Sequence, residues 1–132
     1  MRRRFALAAL CLALAGALPA CQGPDEREVR ISISHSRFDP ATVEVADGNT
    51  VRFVIENTDP IAHEFILGDP SVQDRHESGA HASHGAVPGE VSVPAGETAT
   101  TTYTFSGPGP LIFGCHLPGH YAYGMRGEVR VA

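Results

Sequence analysis

A short loop near the end of the chain, residues 114–125, carries a thiol, an imidazole and a thioether at equal spacing. Cys115, His120 and Met125 follow one another at intervals of five residues. A thiolate, two imidazoles and a methionine sulfur form a soft, mixed donor set that suits copper cycling between Cu(I) and Cu(II). The loop supplies three of these four donors. The rest of the chain must therefore supply a second histidine and a frame that holds the loop in place.

Short alternating segments dominate the sequence ahead of this loop. Val29, Ile31 and Ile33 alternate with polar residues, and the same period of two recurs several times along the chain. Turn signals such as Asp47-Gly48 separate these segments. Such alternation is typical of half-buried strands, and no convincing helical stretch interrupts it. The sequence therefore predicts a single all-β domain, an antiparallel Greek-key β-sandwich of about eight strands.

The start of the chain has the features of an export signal. A basic beginning and an apolar run over residues 5–18 precede Cys21, in a Leu-Pro-Ala-Cys segment that resembles a bacterial lipobox. We expect residues 1–20 to be a lipoprotein-type signal peptide, Cys21 to carry a lipid anchor and residues 21–28 to be a tether. The alternative is ordinary cleavage near Ala20, with the cysteine incidental. The protein is thus expected to be exported to the periplasmic or cell-surface side as a membrane-anchored lipoprotein.

Cysteine usage points to the same loop. Of the three cysteines, Cys11 lies in the expected signal and Cys21 in the lipobox, which leaves Cys115 as the one thiol of the folded domain. Exported proteins usually pair their thiols as disulfides, so a lone thiol is reactive, buried or bound to a metal. The regular spacing of His120 and Met125 after it favours the metal.

The charge balance limits the partners that the protein can have. The chain has 10 basic residues, all of them arginine, against 15 acidic ones, and a formal net charge of −5. An acidic surface argues against nucleic acid, because nucleic-acid binding needs basic patches. It mildly favours a basic protein partner through electrostatic steering. We expect a monomer.

Two histidines compete for the second imidazole position. His63 opens a strand after a turn and shares its register with Phe65. His35 lies in the register of Ile31 and Ile33 and is the main rival. We therefore regard His63 as the best placed candidate and keep His35 as the alternative.

A histidine-bearing insert occupies residues near 69–89. It is long and polar, and it contains His76, His81 and His84. We expect a solvated loop, because the histidine spacing matches no fixed metal site. The alternative is a flexible chelator for Cu(II) or Zn(II). His116, the residue after the cysteine of the loop, is expected to point to solvent, where it either serves a second metal or has no metal role.

The ligand loop and the segments around it resemble a small cupredoxin, the class of type 1 blue copper proteins that includes plastocyanin and azurin, in an exported bacterial form. The resemblance implies a cupredoxin-like copper domain over residues 29–132, apart from the insert. The matching segments are Phe38-Asp39-Pro40, Val43-Glu44-Val45, Asp47-Gly48, Val51-Arg52-Phe53, Asn57, Ala62-His63-Glu64-Phe65 and Cys115-x4-His120-x4-Met125.

The resemblance also implies the cofactor and its ligands. One type 1 copper per chain would be held by His63, Cys115, His120 and Met125, with the thiolate as the dominant ligand and the methionine in the axial position. Glu64 departs from the small polar residue that is common after the first histidine. Its carboxylate either favours Cu(II) and lowers the reduction potential or points outward.

Two functions follow from this resemblance. The first is electron transfer by a copper site that cycles between Cu(I) and Cu(II), with a redox protein as partner. The second is copper binding for delivery, storage or resistance, with a copper acceptor as partner. An enzyme is not expected, because copper enzymes of this kind look like multi-domain cupredoxins with a histidine on both sides of the cysteine, and here Gly114 takes one of those places. Partners would dock over His120, on a patch formed by Pro60, Ile61, Ala62, Pro118, Tyr121 and Ala122.

Overall fold

The computed structural model describes residues 27–79 and 87–132, which form nine strands and one helix. The expected signal peptide, Cys21, most of the tether, and His81 and His84 lie outside the described residues. No helix in the described part has the length and apolar character needed to span a membrane. The elements in chain order are β1 Arg27–Ser34, β2 Arg37–Asp39, β3 Thr42–Val45, β4 Thr50–Asn57, β5 His63–Gly68, α1 Pro70–Glu77, β6 Glu90–Val93, β7 Thr98–Thr104, β8 Leu111–Gly114 and β9 Arg126–Val131.

The strands form the two sheets of a β-sandwich, which confirms the predicted architecture. One sheet has four strands in the order β2-β1-β4-β7, and the other has five in the order β3-β9-β8-β5-β6. The sheets are mixed, because β1 runs parallel to β4 and β3 runs parallel to β9. The expectation of purely antiparallel sheets was therefore wrong for these two pairs. Alternation predicts which face of a strand is buried, but it carries no information about the direction of the neighbouring strand.

The apolar side of each strand faces the space between the sheets. In β1 and β4 every second residue is buried, as the alternation predicted, and Val54 on the other face of β4 is buried as well. Phe53 from the four-stranded sheet contacts Phe65 from the five-stranded one, with ring centroids 5.3 Å apart. Phe38 and Phe113 meet edge to face across the same space, also at 5.3 Å. Each of these buried rings contributes about 2–3 kcal/mol to folding, and together they join the two sheets.

Helix α1 was not predicted, and it replaces part of the expected polar loop. The Asp69 carboxylate accepts hydrogen bonds from the first-turn amides, and Pro70 occupies the first helical position, both of which favour a helix start. Only two helical residues, Gln73 and His76, are buried. Because the buried side of the helix is polar, the apolar period that identifies a helix in a sequence is missing.

Hydrogen bonds hold this helix on the five-stranded sheet. The Gln73 side-chain amide donates to the carbonyls of Ile66 in β5 and Ile112 in β8, at 3.2 and 2.8 Å. The close approach also needs Gly68, where an added Cβ would lie 2.6 Å from the Val72 side chain. The helix therefore lies directly against β5, which begins at His63, and β8, which leads to Cys115.

Candidate metal centre

The loop between β8 and β9 is closed by its own backbone. The amide of Cys115 donates to the carbonyl of Met125 at 3.1 Å, and the amide of Met125 donates to the carbonyl of His120 at 2.9 Å. The His120 amide in turn donates to Leu117 at 2.9 Å, and Gly119 makes the tight turn at a φ of 83°. These bonds keep the three donor-bearing residues together. The side chains of Cys115 and Met125 are both buried in the hydrophobic core.

The sheet brings His63 to the same place. His63 opens β5, which pairs with β8 so that Ile66 lies opposite Gly114, the residue before the cysteine. The Cys115 sulfur lies 3.3 Å from Nδ1 of His120 and 3.9 Å from Nδ1 of His63. The three donor atoms lie within 4.8 Å of one another, and within the described ranges no other group of His, Cys, Asp or Glu meets this condition.

His35, the rival candidate, takes no part in this cluster. It lies at the exposed turn between β1 and β2, where its Nδ1 is 2.8 Å from the Ser34 hydroxyl. Its backbone has a left-handed conformation, with a φ of 53°, and so does that of Ser36. The structure therefore places His63, and not His35, beside the sulfur of Cys115.

The surroundings of the sulfur favour a thiol until a metal ion binds. Burial raises the pKa of the Cys115 thiol, and the negative charge of Glu64 raises it further, while the backbone N–H groups of Leu117 and Glu64 lower it. The Glu64 N–H donates to the sulfur at 3.3 Å. A metal ion that takes the thiolate must therefore displace its proton. The same two N–H groups would then remain as hydrogen-bond donors to the bound sulfur.

The sequence reading missed a carboxylate behind His63. Nε2 of His63 lies 2.9 Å from an oxygen of Asp59, whose side chain is only 11% exposed. Burial of Asp59 opposes ionisation, but the backbone N–H groups of Ser36 and His35 and the contact with His63 outweigh it and hold the pKa of this carboxyl below its usual range. The signal in the sequence was an acidic residue four positions before the candidate ligand.

We expected His116 to point to solvent, and this expectation was wrong. Its side chain is 2% exposed because α1 covers it. Its Nε2 lies 2.8 Å from the amide oxygen of Gln73, and its Nδ1 lies 2.9 Å from a carboxylate oxygen of Glu77. The His116 ring also stacks on the ring of Tyr121, at 4.5 Å between centroids. The residue after Cys115 thus packs the helix against the ligand loop.

His76 belongs to the same polar contact. It is buried on α1, its ring stacks on that of His116 at 5.6 Å, and its Nε2 lies 3.1 Å from the Glu90 carboxylate. The expectation that His76 lies in a solvated loop was therefore wrong. The alternative, a chelating segment, also involved His81 and His84, which lie outside the described residues, and it stays untested.

A β-sandwich with two imidazoles and a buried thiolate donor at one end of a sheet defines a cupredoxin-type copper site. The thiolate and the two ring nitrogens, together with the thioether of Met125 on the same loop, fit copper as a donor set. The family model described as copper binding proteins of the plastocyanin/azurin family matches residues 26–132. The chain belongs to this family, and it is a copper-binding, cupredoxin-like protein.

Two relatives and two solved structures are among the proteins that are similar to the chain. It is 41% identical over 110 residues to the copper-resistant cuproprotein CopI of Rubrivivax gelatinosus, covering 80% of this chain and 67% of that one. It is 31% identical over 145 residues to the protein of the same name from Pseudomonas aeruginosa, covering 86% and 80%.

Among the similar solved structures are two auracyanins, which show the shared fold. Reduced auracyanin from Roseiflexus castenholzii is 24% identical with a TM-score of 0.68, covering 81% of this chain and 98% of that one. Auracyanin B is 21% identical with a TM-score of 0.66, covering 84% and 91%.

Proposed function

We propose that His63, Cys115, His120 and Met125 form a mononuclear type 1 site that holds one copper ion per chain and serves electron transfer. The observation that supports this most is the group of three donor atoms within 4.8 Å of one another. Bound copper supplies a one-electron step between Cu(I) and Cu(II). The contribution of the protein is a donor geometry that changes little during this step, because the sheet and the closed loop hold the side chains.

The burial of the site fits a carrier that keeps its metal. Cys115, His63 and Met125 are buried, whereas His120 is partly exposed. An electron would therefore enter or leave through the His120 ring. Release of the ion, by contrast, would require the loop to open against its backbone hydrogen bonds.

Exposed apolar side chains lie close in the chain to both imidazoles, since Ile61 precedes His63 and Tyr123 follows His120, and we propose that a partner docks at His120. Ile61 is 48% exposed and Tyr123 is 89% exposed. An added Cβ at Gly119 would lie 3.1 Å from the Tyr123 ring, so this ring covers the residue next to His120. Tyr121, which we had expected in the patch, is half buried against His116 instead. Exposed aromatic and aliphatic residues are common at protein–protein contacts.

Copper handling is the second candidate function, and the relatives favour it. Both CopI relatives are named for copper resistance, and delivery or storage of copper would fit that name. The two functions differ in what leaves the protein. A carrier gives up an electron and keeps the ion, whereas a handling protein passes Cu(I) to an acceptor. Neither function involves the turnover of a substrate, and we propose that the protein is not an enzyme.

The copper site is tested on metal-free, reduced protein that receives one equivalent of Cu(II). We expect an intense thiolate-to-copper absorption band and narrow copper hyperfine splitting, both lost in Cys115→Ser. A weak band with wide splitting in the wild type would contradict the site. The loaded protein is then reduced with ascorbate and mixed with a competing Cu(I) chelator; a separate sample is mixed with a small redox protein. Rapid electron exchange with retained copper supports the carrier, and rapid loss of Cu(I) supports copper handling.

We also propose that the protein is exported as a monomeric lipoprotein whose Cys21 holds the membrane anchor. The basic start, the apolar run and the lipobox-like segment support this proposal. Expression of Cys21→Ser in the native host should move the protein from the membrane fraction to the soluble exported fraction. An unchanged distribution would favour ordinary signal cleavage or another anchor.

A further inference from the structure

Asp59 and His63 form a contact that has no counterpart on the other imidazole of the site within the described residues. His63 directs Nδ1 toward the Cys115 sulfur, at 3.9 Å, and Nε2 toward the Asp59 carboxylate, at 2.9 Å. A ring whose two nitrogens are both engaged cannot rotate without losing one of these contacts. Groups that accept a hydrogen bond from the far nitrogen of a histidine ligand fix the ring and increase its basicity.

The Asp59 carboxylate is itself held by the turn between β1 and β2. One oxygen accepts the His35 N–H at 2.7 Å, and the other accepts the Ser36 N–H at 2.7 Å. Both residues have a φ of 53°, and this uncommon left-handed pair directs two successive N–H groups to one side. Backbone strain of this kind persists where the surrounding contacts require it. Here those contacts end on the carboxylate behind the candidate ligand.

We propose that Asp59 is a positioning residue of the copper site, which fixes the His63 ring and favours Cu(II) over Cu(I) by placing a negative charge behind it. This inference rests on the proposed copper site. A carboxylate that accepts the Nε2 proton makes the ring a stronger donor through Nδ1, and a stronger donor stabilises the more highly charged ion. The turn at His35 and Ser36 keeps the carboxylate in place, so the effect is built into the fold.

Asp59→Asn tests the proposal in the full chain loaded with one copper ion. It removes the charge with little change in size, and its amide can offer only one oxygen to the three N–H groups that meet there. We expect the ratio of Cu(II) affinity to Cu(I) affinity to fall about tenfold, which for a one-electron couple raises the reduction potential by about 59 mV. The thiolate-to-copper band should persist.

Asp69→Asn is the matched control. It makes the same chemical change at the start of α1, where asparagine also caps a helix well, and at the opposite end of β5 from His63. We expect its copper affinities to match those of the wild type. An Asp59→Asn protein that keeps the band and shows the wild-type affinity ratio overturns the proposal. A wild-type protein without the band would refute the copper site itself, and with it this inference.

A measurement on the wild type decides the matter if Asp59→Asn does not fold. In the diamagnetic Cu(I) protein, nuclear magnetic resonance of the His63 ring should show an Nε2 proton that is shifted strongly downfield and exchanges slowly with water. This is the proton that Asp59 accepts. A ring without such a proton, or one whose Nε2 proton exchanges as fast as that of an exposed histidine, overturns the proposal.

Discussion

The buried side chain of Asn57 connects the end of β4 to the segment that carries Asp59. Asn57 is 1% exposed. Its Nδ2 lies within hydrogen-bond distance of the carbonyls of Ile61, Val93 and Pro94, at 2.8, 3.1 and 3.0 Å. Its Oδ1 accepts the Asp59 N–H at 3.0 Å. One side chain thus joins the segment that precedes His63 to the turn that follows β6.

Asn57→Ala should therefore destabilise the protein strongly. The Nδ2 group has two protons, so the substitution removes two good donations and one acceptance. Each buried group left without a partner costs about 1 kcal/mol or more. The expected loss in the free energy of unfolding is about 3 kcal/mol, before any cost of the small cavity is counted.

Urea denaturation of the metal-free protein measures this loss. The transition midpoint should fall while its slope stays constant, because the surface exposed on unfolding hardly changes. Asn49→Ala is the control, since Asn49 lies in a turn whose hydrogen bonds with Ala46 and Phe105 use backbone atoms only. A loss below about 1 kcal/mol for Asn57→Ala, or one equal to that of the control, would refute this reasoning.

Three further predictions concern helix α1, the packing of the Phe113 ring and the proposed docking at His120. Gln73→Ala removes the two hydrogen bonds that Gln73 donates to the sheet and should lower the free energy of unfolding by about 2 kcal/mol. Amide hydrogen exchange in α1 should become faster, and unchanged exchange would contradict this role of Gln73. In Gly127→Ala the added Cβ would lie 2.2 Å from a Phe113 ring atom, so calorimetry should show a loss of about 1–3 kcal/mol, whereas Gly109→Ala, with open space around it, should be nearly neutral. Ala122→Arg should slow electron exchange with a partner while the copper spectrum stays the same, and unchanged exchange would count against docking at His120.

Alternation was enough to predict the strands because burial here has a period of two. Val29, Ile31 and Ile33 face the core as expected, and so does every second residue of β4 from Val51 to Ile55. The same pattern did not predict whether neighbouring strands run parallel or antiparallel. The two parallel pairs depend on which strands become neighbours within each sheet. This is a property of the whole chain and not of any local segment.

Helix α1 shows the limit of apolar patterns more clearly. Its buried residues are Gln73 and His76, which in a sequence look like surface residues. They are buried because their polar atoms find partners on the sheet and on the neighbouring side chains, and a sequence does not show such partners. The same cause misplaced His116, since nothing in the sequence indicated that a helix would cover it.

The candidate site was predictable in its loop and less so around it. The spacing of Cys115, His120 and Met125 identified the loop, and register and turn signals preferred His63 over His35. The structure brings the thiol and both imidazoles together, while the assignment of all four residues as copper ligands stays a prediction. The role of Asp59 depended on a contact between two separate turns, which no local pattern reveals.

The donor-bearing residues and the turn that holds Asp59 lie on different sheets, and this has a mechanical consequence. The donor-bearing residues all belong to the five-stranded sheet and its loop, since His63 opens β5 and Cys115 follows β8. The turn that holds Asp59 belongs to the other sheet. A small separation of the sheets would therefore lengthen the hydrogen bonds of Asp59 before it disturbed the distances among the donor atoms. Small fluctuations in the distance between the sheets would therefore change the reduction potential of the site while the arrangement of the donor atoms stays the same.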